Sequence, residues 1–380
     1  MHWDPWVGLV VAAGVAWRLL RRPGVRPRRR VEKRLQRLEP PEPRPPGTGD
    51  RTTFGEDEWG ISTRHRQATL REDRLARFGL PVLRTEAELA AWLGLPLSKL
   101  RWFTWDRAAE RVYHYVRYVV PKARGGERVL LAPHRELKAL QRKVLRDMVE
   151  RVPVSEQAHG FVRGRSIRTN AAPHVGQPVL LKMDLLDFFP SVTFARVRGL
   201  FIWMGYPFSV AAALALLTTE HDRVPFERDG VRYFISLGAR YLVQGAPTSP
   251  ALANLVAWRL DRRLDGLARK HGFAYTRYAD DLTFSGPFVE GALTVLKVAQ
   301  RIVFAEQFQV RSDKTRLIRK GGRHMVTGVV VNDVIGTPRA LRRRLRAAVH
   351  RKTTDRSWLA GMVGYVNAVN PEQAKKLKSS

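Results

Sequence analysis

Three aspartates carry the strongest chemical signal in the chain. Asp280 and Asp281 are adjacent in Tyr278-Ala279-Asp280-Asp281, and Asp184 closes the apolar run Val179-Leu180-Leu181-Lys182-Met183. Adjacent carboxylates repel, and a carboxylate at the end of a buried strand is costly unless a cation keeps it ionised. Three such groups suit two divalent ions held by oxygen ligands, Mg2+ with Mn2+ as the alternative. Two ions about 4 Å apart can activate a hydroxyl and steady a departing pyrophosphate in an in-line displacement. Taken alone, a solvated Asp-Asp turn explains the pair better, because Asp is a common turn residue. No Cys occurs, which removes disulfide scaffolds and Cys-based zinc sites and fits a reducing cytoplasm. His174 has no second His or Cys at ligand spacing, and no Ser-His-Asp arrangement competes.

The elements that must position these groups are mixed helix and strand. Phe273–Arg277 and Leu282–Gly286 are aromatic and β-branched, so they predict a hairpin with the aspartates at its tip. The run from Val179 predicts a buried strand that delivers Asp184 to a sheet edge, followed by Asp187, Phe188 and Phe189, with Phe188 better explained as core. Downstream, the pattern predicts a helix around Val210–Leu217, a hairpin over Val224–Leu237 and a capped loop, Gln244-Gly245-Ala246-Pro247-Thr248-Ser249-Pro250, leading into a helix from Ala251 to Leu260. A helix from Leu293 to Phe304, a glycine-interrupted strand over Met325–Asp333 and a basic helix from about Pro338 complete the series.

Upstream, Thr85 and Glu88 predict a capping box for a helix ending before Gly94, and a second short helix starts at Ser98. Tyr113–Val120 and Arg128–Pro133 read as a hairpin whose basic, glycine-containing turn would set Lys122 and Arg128 over a triphosphate. An amphipathic helix over Glu136–Val149 buries Leu137, Leu140, Val144 and Met148. From His159 to His174 a loop carrying Arg163, Arg165, Arg168 and Asn170 suits phosphate and base contacts better than core packing.

Lys and Arg number 67 against 35 Asp and Glu, a net charge of +32. Solubility alone asks for only about 2 to 8 charges in a small domain, so the excess points to a polyanion, either nucleic acid or an anionic membrane surface. Arg339, Arg342, Arg343, Arg344 and Arg346 share one predicted helix that would repel itself without a phosphate backbone. The apolar run Trp6–Trp17 falls short of the about 20 residues a membrane span needs. Three readings stay open for it: a weak membrane anchor, a helix docked on the enzyme or a partner, or a start codon placed too far upstream. The proline-rich stretch 39–47 is a linker.

Asp184-x-x-Asp187-Phe188-Phe189, the Gln244–Pro250 loop, Tyr278-Ala279-Asp280-Asp281 and Lys314-Thr315, in that order, resemble the palm motifs of reverse transcriptases over roughly residues 110 to 335. The resemblance implies an α+β right-hand polymerase fold. It also implies catalytic metals on Asp184, Asp280 and Asp281 with the Leu185 backbone, a steric gate at Phe189 against a ribose 2′-hydroxyl, nucleotide contacts from Asp187, Phe188, Gln244 and Lys314, and Tyr278 near the primer terminus. Asn170-Ala171-Ala172-Pro173-His174 and Val326-Thr327-Gly328 resemble elements of the bacterial retron branch. That branch implies a structured non-coding RNA as primer and template, deoxynucleotide substrates, an RNA-linked single-stranded DNA product, and anti-phage defence with an effector (toxin) partner. In this reading Asn170, His174, Val326, Thr327, Gly328 and Arg343 serve RNA binding. Residues 1–60 form an N-terminal extension, 61–110 a helical segment, 111–335 fingers and palm, and 336–380 a basic helical thumb. Relatives usually have Asn where Asp313 stands. A reverse transcriptase that makes DNA without a retron RNA is the alternative, and a catalytically silent RNA-binding scaffold is the more distant one.

Overall fold

The computed structural model describes residues 68–106, 108–121, 125–351 and 355–378. The apolar run Trp6–Trp17, the proline-rich linker and Lys122 lie outside them. The chain opens with α1 (Glu72–Arg77), α2 (Glu86–Leu93) and α3 (Leu97–Phe103). Thr85 caps α2 by accepting the Glu88 N–H at 3.2 Å, and Gly94 ends it in the left-handed region. The Glu88 carboxylate returns a bond to the Arg84 N–H at 2.9 Å, one residue earlier than a capping box requires.

After the short β1 (Ala109–Glu110), β2 (Tyr115–Pro121) and β3 (Glu127–Pro133) pair as a two-stranded ribbon in the register Val120 to Arg128. Beyond Tyr115 the residues of β2 are all exposed. Helix α4 (Arg135–Asp147) buries Leu137, Leu140 and Val144, and Met148 follows it into the core. The loop expected across 159–174 is partly helical, with α5 (Ile167–Ala171) capped by Ser166 and a 3-10 turn over Ala172–His174.

Strand β4 (Val179–Asp184) is buried along nearly its whole length. Helices α6 (Phe194–Met204) and α7 (Phe208–Thr218) follow it. The next hairpin is longer than its expected span. β5 (Glu220–Arg228) and β6 (Val231–Tyr241) turn at Asp229-Gly230, where both residues have positive φ, and β1 pairs with β6. The single helix expected from Ala251 is two, α8 (Ser249–Val256) and α9 (Trp258–Lys270), broken at Ala257.

β7 (Ala274–Tyr278), β8 (Asp281–Gly286), β4 and β9 (Arg316–Arg319) form the central antiparallel sheet in the order β7-β8-β4-β9. α9 packs on β7, and α10 (Val289–Ala305) packs on β4 and β8. The strand expected over Met325–Asp333 is instead a tight hairpin, β10 (Met325–Val326) and β11 (Val329–Val330). Its two turn residues, Thr327 at φ +46° and Gly328 at φ +83°, are both left-handed, so the chain reverses where a strand was expected. Three helices end the described chain: α11 (Arg339–Arg351), α12 (Arg356–Val369) and α13 (Pro371–Lys378). They meet around Leu345, Val366, Ala374 and Leu377.

Candidate active site

The sheet register brings the three aspartates together. Asp184 on β4 is the direct cross-strand partner of Asp281 on β8, and Asp280 sits in the two-residue connection from Tyr278. That connection forces Ala279 to φ +55°, an uncommon conformation for a residue with a Cβ. The Asp280 carbonyl accepts the Leu185 N–H at 2.9 Å, and the Asp184 carbonyl accepts the Arg311 N–H at 2.7 Å, so both strand ends are fixed by backbone bonds.

The three side chains are compensated unequally. Burial pushes the Asp280 carboxyl up to about 6, and repulsion from Asp281 and Asp184 adds to it. Burial also raises Asp281, against the pull of Lys182. Asp184 is 7% exposed and gives both oxygens to the Lys314 ammonium, at 2.9 and 2.8 Å. In this arrangement no three acidic or imidazole groups among the described residues stand at metal-ligating separations. The donor set nonetheless fits hard divalent cations: three carboxylates, two of them raised by burial and by repulsion from a neighbouring carboxylate, with one lysine standing against the third.

Around this centre the expected nucleotide residues fall into two groups. Phe189 is half-buried, and its ring lies 6.4 Å from Phe161, which in turn is 6.3 Å from Tyr278. Phe161 holds φ +60° and is exposed, a strained placement for an aromatic residue. Asp187 is exposed and left-handed, and its carbonyl starts the turn by accepting the Ser191 N–H. The Gln244 carbonyl accepts the Leu131 N–H at 2.7 Å, tying its loop to β3, the strand that displays Arg128. Gly245 is needed there, because a Cβ would stand 2.7 Å from the Leu131 carbonyl oxygen. Phe188 is core, as its setting in the sequence suggests, and the nucleotide contact expected of it from the motif is corrected: it is 5% exposed, stacked on Phe308 at 5.8 Å and set over the Arg277 guanidinium at 5.5 Å.

Residues 120–331, more than half of the chain, match the family model for reverse transcriptase (RNA-dependent DNA polymerase). The retron Mx65 reverse transcriptase of Myxococcus xanthus is 55% identical over 312 residues, covering 80% of this chain and 73% of that protein. This chain belongs to the retron reverse transcriptases. The retron Mx162 reverse transcriptase of the same organism is 42% identical, over 80% of this chain and 68% of that protein, and the retron Ec86 reverse transcriptase of Escherichia coli is 31% identical, over 80% and 90%. The chain is therefore an RNA-directed DNA polymerase of right-hand fold, in a family that generally works with divalent metal ions.

In this reverse transcriptase the two branch-like elements meet each other. The Asn170 amide lies 3.4 Å from the Thr327 hydroxyl, and Ala171, Val326 and Val329 share one apolar cluster with Val369 of α12. Asn170 and His174 are 1% and 0% exposed, so the expectation that their side chains touch RNA is corrected. His174 is spent inside the protein, with its ring nitrogens at 2.7 Å from the Ser285 hydroxyl and 2.8 Å from that of Thr276. Val326 is buried, Thr327 is half-buried, and Gly328 and Arg343 face solvent. Arg165, expected to contact phosphate, donates instead to the Ser155 and Ala158 carbonyls at 2.6 and 2.5 Å.

The sequence reading gave no role to Arg277, Asp261, Asn254 or Gly160, which together support the carboxylate turn. A lone arginine inside an otherwise apolar and aromatic strand was the available signal.

Proposed function

We propose that this enzyme copies part of a structured non-coding RNA into DNA as a retron polymerase, with Asp184, Asp280 and Asp281 and the Leu185 carbonyl holding two Mg2+ ions. The observation that carries the site assignment is the Asp184–Asp281 cross-strand pair with Asp280 at the adjoining turn, where burial, with repulsion between carboxylates behind it, raises both hairpin carboxyls. When bound, the ions would supply activation of the attacking hydroxyl and charge stabilisation for the leaving pyrophosphate. The rest is the work of the chain. Lys314 would pass from Asp184 to the triphosphate as the ions enter, joined by Arg128 and Lys122. Gln244 would orient the incoming deoxynucleotide, Phe189 would exclude a ribose 2′-hydroxyl, and Tyr278 would lie beside the primer end. In this reading residues from about 111 to 180 form the fingers, the central sheet is the palm, and α11 to α13 form a thumb whose Arg343 faces the RNA backbone. The RNA would provide both template and a priming 2′-hydroxyl, leaving an RNA-linked single-stranded DNA. A role in phage defence with an effector protein, in the cytoplasm, belongs to the same proposal. No helix among the described residues is long and apolar enough to cross a membrane.

Sequencing the nucleic acid that copurifies with the full chain tests this reading. A unique folded RNA covalently joined to DNA is the expected result. Random RNA, or none, would move the protein to the defence reverse transcriptases that act without a retron RNA.

A further inference from the structure

We infer that Arg277 is a positioning residue of the polymerase site, which fixes the two hairpin carboxylates by joining a buried ion pair to the backbone of their turn. The inference rests on the proposal that Asp184, Asp280 and Asp281 hold the metal ions.

Arg277 lies on β7, one residue before Tyr278, and its side chain is 0% exposed. Strand alternation turns it to the sheet face opposite the one that carries Asp184 and Asp281. There it meets Asp261 of α9 as a fork, Nε to Oδ1 and Nη2 to Oδ2, both at 2.7 Å. The Tyr275 hydroxyl donates to the same carboxylate at 2.9 Å. Burial alone would lower the Arg277 pKa, but the Asp261 carboxylate outweighs it and the guanidinium stays charged. Its remaining terminal nitrogen, Nη1, reaches the Asn254 Oδ1 at 2.9 Å and the carbonyl of Ala279 at 3.1 Å. Ala279 is the left-handed residue of the turn, so a charged donor holds in place the peptide that leads into Asp280.

A second arm, tied to the same Asn254, reaches the same turn. The Asn254 amide donates to the Gly160 carbonyl at 2.8 Å, and residues 157 to 159 pair with the Arg277 backbone through His159 N–H to Arg277 and Arg277 N–H to Gln157, each 2.7 Å. Gly160 then touches the turn itself. A Cβ on it would stand 2.7 Å from the Ala279 nitrogen and 3.2 Å from the Tyr278 carbonyl carbon. Such a brace has a plain use. Two repelling carboxylates, one on a strained two-residue turn and one at the strand end beside it, would drift apart without a fixed backbone, and metal affinity depends on where they stand.

Three full-chain variants test the brace: Gly160→Ala, which pushes the turn without removing a charge; Arg277→Lys, which keeps the charge but loses the fork; and Arg277→Met. Melting curves and circular dichroism establish folding, Mn2+ binding by electron paramagnetic resonance reads the site without turnover, and Mg2+ titration of DNA synthesis reads it in action. Gly160→Ala should remain folded and weaken Mn2+ binding about 10- to 100-fold, the range seen when groups that orient metal ligands are removed. It should raise the half-saturating Mg2+ by a similar factor. Arg277→Lys should show the same defect, because one ammonium cannot serve Asp261, Asn254 and Ala279 together. A folded Gly160→Ala with unaltered Mn2+ and Mg2+ responses overturns the inference, as does an Arg277→Lys indistinguishable from the parent. If Arg277→Met fails to fold, Gly160→Ala still decides. Asp280→Asn with Asp281→Asn, run alongside, separates the two ideas: if that pair still binds Mn2+ and synthesises DNA, the metal assignment fails and the brace falls with it.

Discussion

Asp281 and Ser285 lie on the same strand and the same sheet face, four residues apart, yet they live under opposite conditions. At Ser285 and the nearby Thr276, every hydroxyl bond leads to another protein group, and His174 closes the set with both ring nitrogens engaged. At Asp281, Asp280 and Asp184 the bonding is incomplete: burial raises the two hairpin carboxyls, with repulsion between carboxylates adding to it, and the third is held by the Lys314 ammonium. A buried polar group that is fully bonded is architecture, and a buried group held in unrelieved repulsion is waiting for a ligand. Polarity in the sequence cannot separate the two; bonding in the structure can.

The largest effect should come from removing the repulsion itself. Asp280→Asn with Asp281→Asn should lower deoxynucleotide incorporation by at least about 10²- to 10³-fold, the scale on which loss of transition-state charge stabilisation is felt, while RNA binding persists. The same change should stabilise the metal-free protein at pH 8. Asp280 titrates near 6 when folded, above its ordinary 3.8, so the folded protein holds a proton that the unfolded chain has released between those values. Stability therefore falls as pH rises from about 4 to about 6, and the neutral amide escapes that loss. A variant melting below the parent in chelator at pH 8 would contradict this contrast.

Phe189→Ala comes next. Opening the half-buried ring position should relax discrimination against ribonucleotides about 10- to 100-fold, the size of a steric pocket contact, measured as the ratio of kcat/KM for paired deoxy- and ribonucleoside triphosphates. Unchanged discrimination would place the gate elsewhere, with Phe161 the neighbouring candidate. Lys314→Gln should act more modestly on stability. Its partner Asp184 is buried but the ammonium is partly exposed, so the metal-free protein should lose about 1 kcal/mol or less. Added Mg2+ should recover that loss, and the KM for deoxynucleotides should rise.

Much of this site was legible before any coordinates. A six-residue, largely apolar strand ending in Asp and a hairpin with two more at its tip put carboxylates at strand ends, while the register that sets Asp184 opposite Asp281 is visible only in the folded sheet. The Arg277 brace was not legible, because its partners Asp261 and Asn254 come from two helices whose separation at Ala257 has no Gly or Pro to announce it. The segment Met325–Asp333 read as strand because β-branched residues dominate it, while the reversal depends on Thr327 entering a conformation that Thr rarely adopts. Asn170 and His174 read as RNA contacts for a related reason. Their hydroxyl partners lie more than a hundred residues downstream, and no local pattern distinguishes a buried partner from solvent or phosphate.

The smallest effect tests the bonded side of the contrast. Burial, with a lesser contribution from His159, lowers the His174 pKa from 6.5 to about 3. A neutral ring suits this geometry, because one nitrogen can accept from one hydroxyl while the other donates to the second. Between pH 6.5 and about 3 the unfolded chain binds a proton here that the folded protein refuses, so acid erodes stability across that window. His174→Gln can keep one of the two bonds and should cost about 1 kcal/mol at pH 7.5. It lacks the acid-labile ring, and the parent loses up to about 2.7 kcal/mol between pH 6.5 and 4.5, so the gap between variant and parent in urea midpoint should close and reverse as the pH falls to 4.5. A constant gap would mean that His174 is protonated within the fold and contacts something other than Thr276 and Ser285. The partition of this strand into a bonded end and a ligand-seeking end would then lose its bonded half.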